Sequence, residues 1–115
     1  MADRTLGTIN ISNEVIADMA GYAALECYGV VGMASPSARD GVAQLLSRDR
    51  LRKGVTITSS DDGHTIDLYI VAEYGTNLAE VARTMAERVR YVLTTNAGVN
   101  VAAVEVHVQD IKVRK

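Results

Sequence analysis

The chain has 115 residues, a net charge of −2 and a hydrophobic content of 48%. This length suits one domain with one core, predicted to span residues 1–115 with its packed part at about 6–113. The acidic balance argues against a generic nucleic-acid binder, which is usually a basic domain. Cys27 is the only cysteine and therefore excludes an internal disulfide, as is usual in a reducing cytoplasm.

The N-terminal half predicts a strand, a helix and a second strand. Residues 7–11 have the pattern of a short strand, and Ser12 after it is a good N-cap. The helix runs to about residue 28, and residues 30–33 form an apolar strand. Residues 34–41, with the only proline, are predicted as a loop before a short helix at about 41–50. The apolar stripe of the first helix comprises Val15, Ile16, Met19, Ala20, Ala23 and Cys27.

The C-terminal half predicts a hairpin, a long helix and a last strand. Residues 55–58 and 66–74 are strands joined by the turn sequence at 61–64. Asn77 caps a helix that runs to about residue 95. The last strand starts near residue 104, and its apolar positions change phase at Gln109 and Asp110, which predicts a β-bulge. The apolar stripe of the long helix comprises Leu78, Val81, Ala82, Met85, Val89, Val92 and Leu93.

This order of elements predicts a two-layer α+β fold. The order is strand, helix, strand, short helix, strand, strand, helix, strand. The sheet should be mostly antiparallel or mixed, with the two long helices on one of its faces. In residues 66–74 the even positions are apolar, whereas the odd ones include Asp67, Tyr69 and Val71. Because strand side chains alternate between faces, the odd positions should line the face without helices.

Residues that could carry catalysis or bind a metal are dispersed along the chain. Cys27 ends an apolar helix stripe and is interpreted as a small buried thiol. His64 lies in the hairpin turn and His107 on the open side of the last strand. Neither histidine is at ligand spacing from a second histidine or cysteine. We therefore expect no catalytic residue, no metal ligand, no cofactor and no enzymatic activity.

Two surface regions are candidate interaction sites. The first is the face without helices, with Tyr69 and Val71 at its centre and Thr56, Thr58 and His107 beside them; amphipathic faces of this kind often contact other proteins. The second is the basic segment at 39–53, which has a net charge of +3 and either binds phosphates or is a solvated helix end. The cations of the basic segment are Arg39, Arg48, Arg50, Arg52 and Lys53.

A Gly-x-x-Gly pattern at 29–32 matches the loop with which KH domains clamp a nucleic-acid backbone. Such a loop should be exposed and preferably basic, whereas the two inner residues here are valines that continue a strand. A KH-like nucleic-acid-binding module that uses the basic segment is therefore kept as an alternative function.

Several segments, in order, resemble the alkaline-shock-protein family of bacterial envelope-stress proteins. They are 6–12 (LGTINIS), 14–16 (EVI), 29–33 (GVVGM), 53–57 (KGVTI), 66–71 (IDLYIV), 73–75 (EYG) and 104–109 (VEVHVQ). The resemblance spans about residues 6–113. It implies a non-enzymatic cytoplasmic protein of mainly Gram-positive bacteria. Some members self-associate, some are held near the membrane by a partner, and others are linked to envelope or fatty-acid homeostasis.

The resemblance supplies no catalytic residues, and the chain is similar to short housekeeping members that lack long charged extensions. We therefore expect a non-catalytic assembly or adaptor protein that acts through protein–protein contacts in cell-envelope homeostasis. Its expected partners are further copies of itself and a membrane-anchored or lipid-metabolism protein, with any membrane association through that partner. A regulatory partner of a lipid-metabolism enzyme is a further alternative.

Overall fold

The computed structural model describes residues 11–36 and 45–113. Nearly all of the strand predicted at 7–11 lies outside these residues, as does the first part of the short helix predicted at 41–50. The elements are α1 (Asn13–Leu25), β1 (Val30–Met33), the 3₁₀ helix (Arg48–Gly54), β2 (Val55–Ser60), β3 (Gly63–Glu73), α2 (Leu78–Ala97) and β4 (Val101–Lys112).

The sheet is built around β3. Strands β1 and β2 pair with it antiparallel, and β4 pairs with it parallel. Because β4 runs along one edge of β3 for most of its length, β1 and β2 share the other edge. There β2 pairs with residues 63–68 and β1 with residues 70–72. The result is the predicted α+β fold with a mixed sheet.

One face of the sheet forms the main core together with the helices. Ile66, Leu68 and Ile70 of β3 are fully buried against residues of α1 and α2. Their partners on β4 are Val104, Val106 and Val108. Register along β4 then shifts: Ile70 pairs with Val108, but Val71 pairs with Asp110, which leaves Gln109 as the extra residue. The bulge predicted from the change of phase is confirmed.

Both helices begin at the predicted caps. The Ser12 side chain accepts a hydrogen bond from the Val15 amide, and that of Asn77 accepts one from the Glu80 amide. Such bonds satisfy amides that have no partner within the helix. A left-handed Gly98 ends α2. No helix within the described ranges is both long enough and apolar enough to cross a membrane.

The buried stripe of α2 contains four predicted residues, whereas that of α1 is rotated from the prediction. Val15 is 47% exposed, and Ala17 and Ala24 are buried instead. Small alanines let α1 lie close to its neighbours, so this helix buries positions that a search for large side chains would not select. The buried residues of α2 are Val81, Met85, Val89 and Leu93.

The short helix predicted at 41–50 is wrong for residues 45–47, which are not helical, whereas residues 48–50 begin a 3₁₀ helix at Arg48. The Leu46 amide donates to the Met33 carbonyl at 2.9 Å, and Leu45 forms a β-bridge with Ala34. These bonds draw the chain alongside β1 instead of into a helix. Leu51, not Leu45, is the buried anchor of the segment.

Candidate functional site

The sheet side chains that point away from the helices form what we call the open face. Its rows follow from strand register. Thr56, Asp67 and Glu105 lie side by side on β2, β3 and β4, and Tyr69 lies beside His107 in the next row. Thr58 pairs with Thr65 on the other side of Asp67. The sheet therefore brings four of the five predicted contact residues onto one surface: Thr56, Thr58, Tyr69 and His107.

His107 is held by two contacts on this face. Its ring stacks on that of Tyr69, with centroids 4.6 Å apart and an angle of 13° between the planes. Its Nε2 lies 3.0 Å from Oδ1 of Asp67, which accepts the hydrogen bond because a carboxylate can only accept. The His107 side chain is 40% exposed and that of Asp67 18%. The imidazole is thus oriented on two sides and open on the others.

Glu105 completes a small polar cluster with Asp67 and His107. One nitrogen or oxygen atom from each of the three side chains lies within 4.8 Å of those of the other two. Asp67 and Glu105 are directly opposite each other on neighbouring strands. Like charges in this arrangement destabilise a sheet. The cluster is therefore suited to hold a positive charge.

Sequence reasoning missed Asp67 and Glu105 because it looked for ligand spacing along the chain. Asp67 and His107 are 40 residues apart in sequence. Alternation in the sequence places Asp67, Glu105 and His107 on the open face of β3 and β4. The parallel register of these two strands is the further information that would have brought the three residues together. That register becomes apparent only when β3 and β4 are known to be neighbours.

Val71 does not belong to the accessible part of the open face. Its side chain is 0% exposed and packs with Ala34 and Val31 in a second, smaller apolar cluster. The chain after β1 lies close to this end of the sheet, where the Gln109 side chain donates to the Ser35 carbonyl at 3.2 Å. The prediction of Val71 as an exposed contact is thereby corrected, because alternation gives the face of a strand residue but not what covers it.

The basic segment is partly neutralised by α1. Arg52 forms ion pairs with Glu14 at 3.2 Å and with Asp18 at 3.4 Å. A hydrogen bond from the Ser47 hydroxyl lowers the pKa of Asp49. Arg50 and Lys53 are exposed, whereas Arg39 and the side chain of Arg48 lie outside what the structure describes. The proposed role of this segment in binding stays a prediction.

The Gly-x-x-Gly segment is not an exposed loop. Gly29 and Gly32 are both buried, and Gly32 lies within β1. A Cβ on Gly29 would lie 2.6 Å from Cγ2 of Val81, and one on Gly32 would lie 2.8 Å from Cδ2 of Leu45. Close packing therefore accounts for these glycines, and the geometry does not favour a phosphate clamp.

The remaining candidates for chemistry lie apart from the open-face cluster. Cys27 is partly buried and its thiol donates to the Ala23 carbonyl at 3.6 Å. Burial raises the pKa of this thiol, although Arg88 partly opposes the effect. A raised pKa leaves little reactive thiolate. His64 contacts the Ser59 hydroxyl at 2.9 Å within the β2–β3 hairpin.

Comparison with known proteins identifies a family and a fold. A model of the alkaline-shock-protein family, described as having a cell envelope-related function, matches residues 1–113. Uncharacterized protein YloU of Bacillus subtilis strain 168 is 41% identical over 108 residues, which cover 93% of this chain and 90% of that protein. Uncharacterized protein Spy1614 of Streptococcus pyogenes serotype M6 is 43% identical over 108 residues, which cover 93% and 89%.

Among solved structures, the chain is similar to MamM-CTD 215-293. The TM-score is 0.51 at 13% sequence identity, and the match covers 90% of this chain and 100% of that one. At this identity the likeness concerns the fold alone. The family match confirms the resemblance predicted from the sequence segments.

Proposed function

The chain belongs to the alkaline-shock-protein family, whose function is related to the cell envelope, and on that premise we propose that it is a non-enzymatic assembly or adaptor protein. It acts through protein–protein contacts, the first of them with further copies of itself through the open face. A membrane-anchored or lipid-metabolism protein is its proposed second partner. The cytoplasmic location expected from the sequence is part of the same proposal.

The observation that carries this proposal is the two-layer architecture. Both described helices lie on one side of the sheet, and the other side presents the stacked rings of Tyr69 and His107. A sheet face that carries no helix can pack face to face with a second one at about 10 Å. In a two-fold dimer the same patch contacts itself, so no second complementary surface is needed.

The absence of catalysis is supported by where the reactive groups lie. Cys27 has a raised thiol pKa and sits beyond the end of α1. His64 is held by a hairpin serine, and His107 is held by Asp67. A nucleophile needs a base within hydrogen-bond reach and a third group that orients this base. The contacts of Cys27 in the described residues include no histidine. His64 reaches the Ser59 hydroxyl, but no described side-chain contact orients its other ring nitrogen.

Replacing Tyr69 with glutamate should dissociate the self-associated protein. In a two-fold dimer the new carboxylate would lie near its own copy and near Asp67 and Glu105. Like charges at an interface cost several kcal/mol, so we expect association to weaken by at least about 100-fold. Light scattering should show the unmodified chain as a dimer or larger and the variant as a monomer. Circular dichroism should be unchanged.

The matched control is Tyr91→Glu, because Tyr91 is a second tyrosine of the chain, 61% exposed, that lies on α2 and not on the sheet. This variant should keep the mass of the unmodified protein. Equal dissociation by both variants would indicate a nonspecific charge effect and contradict assembly through the open face. An unmodified chain that is monomeric at cellular concentration would contradict self-association altogether.

A further inference from the structure

We propose that Asp67, Glu105 and His107 form a binding site for one divalent transition-metal ion, with Zn²⁺ as the expected occupant. The site lies on the open face of a single chain and does not require self-association. Its three donor atoms come from neighbouring strands and lie within 4.8 Å of one another. In a tetrahedral zinc site, ligand atoms about 2.1 Å from the metal are about 3.4 Å apart. The side chain of Glu105 is exposed and can therefore adjust its position toward the ion.

The three ligands lie on two paired strands of the sheet, β3 and β4, which hold their backbone positions. Asp67 and Glu105 are register partners in the pairing of β3 with β4, and His107 follows Glu105 on the same face. Strand residues give more exact ligand positions than loop residues do. Tyr69 lies flat against the His107 ring and fixes its plane. Tyr69 is therefore a positioning residue, whereas the other three supply the donor atoms.

The charge of the cluster matches a divalent cation. Two carboxylates directly opposite each other repel when nothing lies between them. A 2+ ion between them would neutralise both and convert this repulsion into two coordination bonds. No described lysine or arginine pairs with Asp67 or Glu105, and the hydrogen bond with His107 Nε2 is the one side-chain contact of Asp67 that the structure shows. If Nε2 binds the ion, the metal replaces this hydrogen bond and the imidazole keeps its proton on Nδ1.

The donor atoms select the class of ion. Imidazole nitrogen suits zinc, copper, iron and nickel, whereas magnesium and calcium prefer sites made entirely of oxygen. Three protein ligands also leave one position for water, as in sites that exchange their metal or bind a further ligand. Zn²⁺ is the expected occupant because it accepts mixed nitrogen and oxygen donors in this geometry.

The test is a Zn²⁺ titration of the full metal-free chain by calorimetry, with a chromophoric chelator as competitor. We expect one Zn²⁺ per chain. His107→Ala should weaken binding by more than about 100-fold, because loss of even an outer-shell partner costs 10–100-fold. Glu105→Gln should also weaken binding, and Tyr69→Leu should weaken it about 10-fold as a positioning residue does. Mg²⁺ should not compete.

The matched control is His64→Ala, because His64 is the one other histidine in the chain. This variant should bind Zn²⁺ as the unmodified protein does. His107→Gln repeats the test with a residue of similar length, and thermal unfolding of each metal-free variant shows that the fold persists. Binding that survives His107→Ala and His107→Gln, or that is lost in His64→Ala, would show an adventitious ion only and overturn the site.

Stoichiometry separates this site from the proposed self-association. One ion per two chains, lost together with the dimer in Tyr69→Glu, would place the ion between copies and refute a site within one chain. Conversely, Zn²⁺ binding by a chain that light scattering shows to be monomeric would support the site while contradicting assembly through the open face. The two proposals therefore fail independently.

Discussion

Val71→Asp should destabilise the protein by more than about 4 kcal/mol, the size reached when an unpaired charge is buried. The Val71 side chain is fully buried against Ala34 and Val31. Its register partner on β4 is Asp110, so the new carboxylate would face a like charge as well as lose its water. Urea unfolding followed by circular dichroism measures this loss as a lower midpoint.

Thr58→Asp is the control for this prediction. Thr58 is an exposed residue on the same face of the sheet. Asp is a poor strand former, and that preference spans about 1 kcal/mol, so the control should lose no more than this. If both substitutions lowered the free energy of unfolding equally, the burial of Val71 against Ala34 and Val31 would be contradicted. Val71 would then belong to the accessible open face.

The helix caps and the β-bulge could be predicted from short stretches of sequence. Ser12 and Asn77 were identified as caps because their side chains satisfy helix amides, and the structure shows both bonds. A bulge was predicted near Gln109 and Asp110 because a two-residue period cannot change phase without an extra residue, and in the structure this extra residue is Gln109. These features depend on a few neighbouring residues, which the sequence shows directly.

Features that depend on distant segments were missed. Leu45 was expected in a helix, but the edge of β1 offers its backbone a strand partner instead. Val15 was expected in the core, but close packing of alanines turns α1 by part of a turn. Val71 was placed on the correct side of its strand, yet nothing local shows that Ala34 and Val31 cover it.

The candidate site likewise has one part that the sequence predicts and one part that depends on distant segments. Tyr69 and His107 were selected separately as residues of one face, and the parallel register of β3 and β4 then brings their rings together. Asp67 and Glu105 seemed to be ordinary solvated strand positions because each stands between apolar residues in a two-residue alternation. Asp67 and Glu105 lie opposite each other only because β3 and β4 are neighbours in the folded sheet. This arrangement is the basis of the proposed cation site.

Gly29→Ala should be the second severe substitution, with a loss above about 3 kcal/mol from strain and overpacking together. Gly29 joins α1 to β1 with a φ of 89°, a value that side chains rarely adopt. A Cβ there would also lie 2.6 Å from Cγ2 of Val81 on α2. The same residue accepts a hydrogen bond from the Glu73 amide at 2.8 Å, so it cannot shift without disturbing the end of β3.

Gly75→Ala separates the two causes. Gly75 has almost the same φ, 91°, but a Cβ there would meet nothing within 4 Å. Its replacement should cost about 1–2 kcal/mol from backbone strain alone. Adding Val81→Ala to Gly29→Ala removes the clashing methyl, and the two changes together should cost at least about 1 kcal/mol less than the sum of their separate costs. Val81→Ala added to Gly75→Ala should be additive. If Gly29→Ala cost no more than Gly75→Ala, the close approach of α2 to the start of β1 would be contradicted, because strain alone would then account for both glycines.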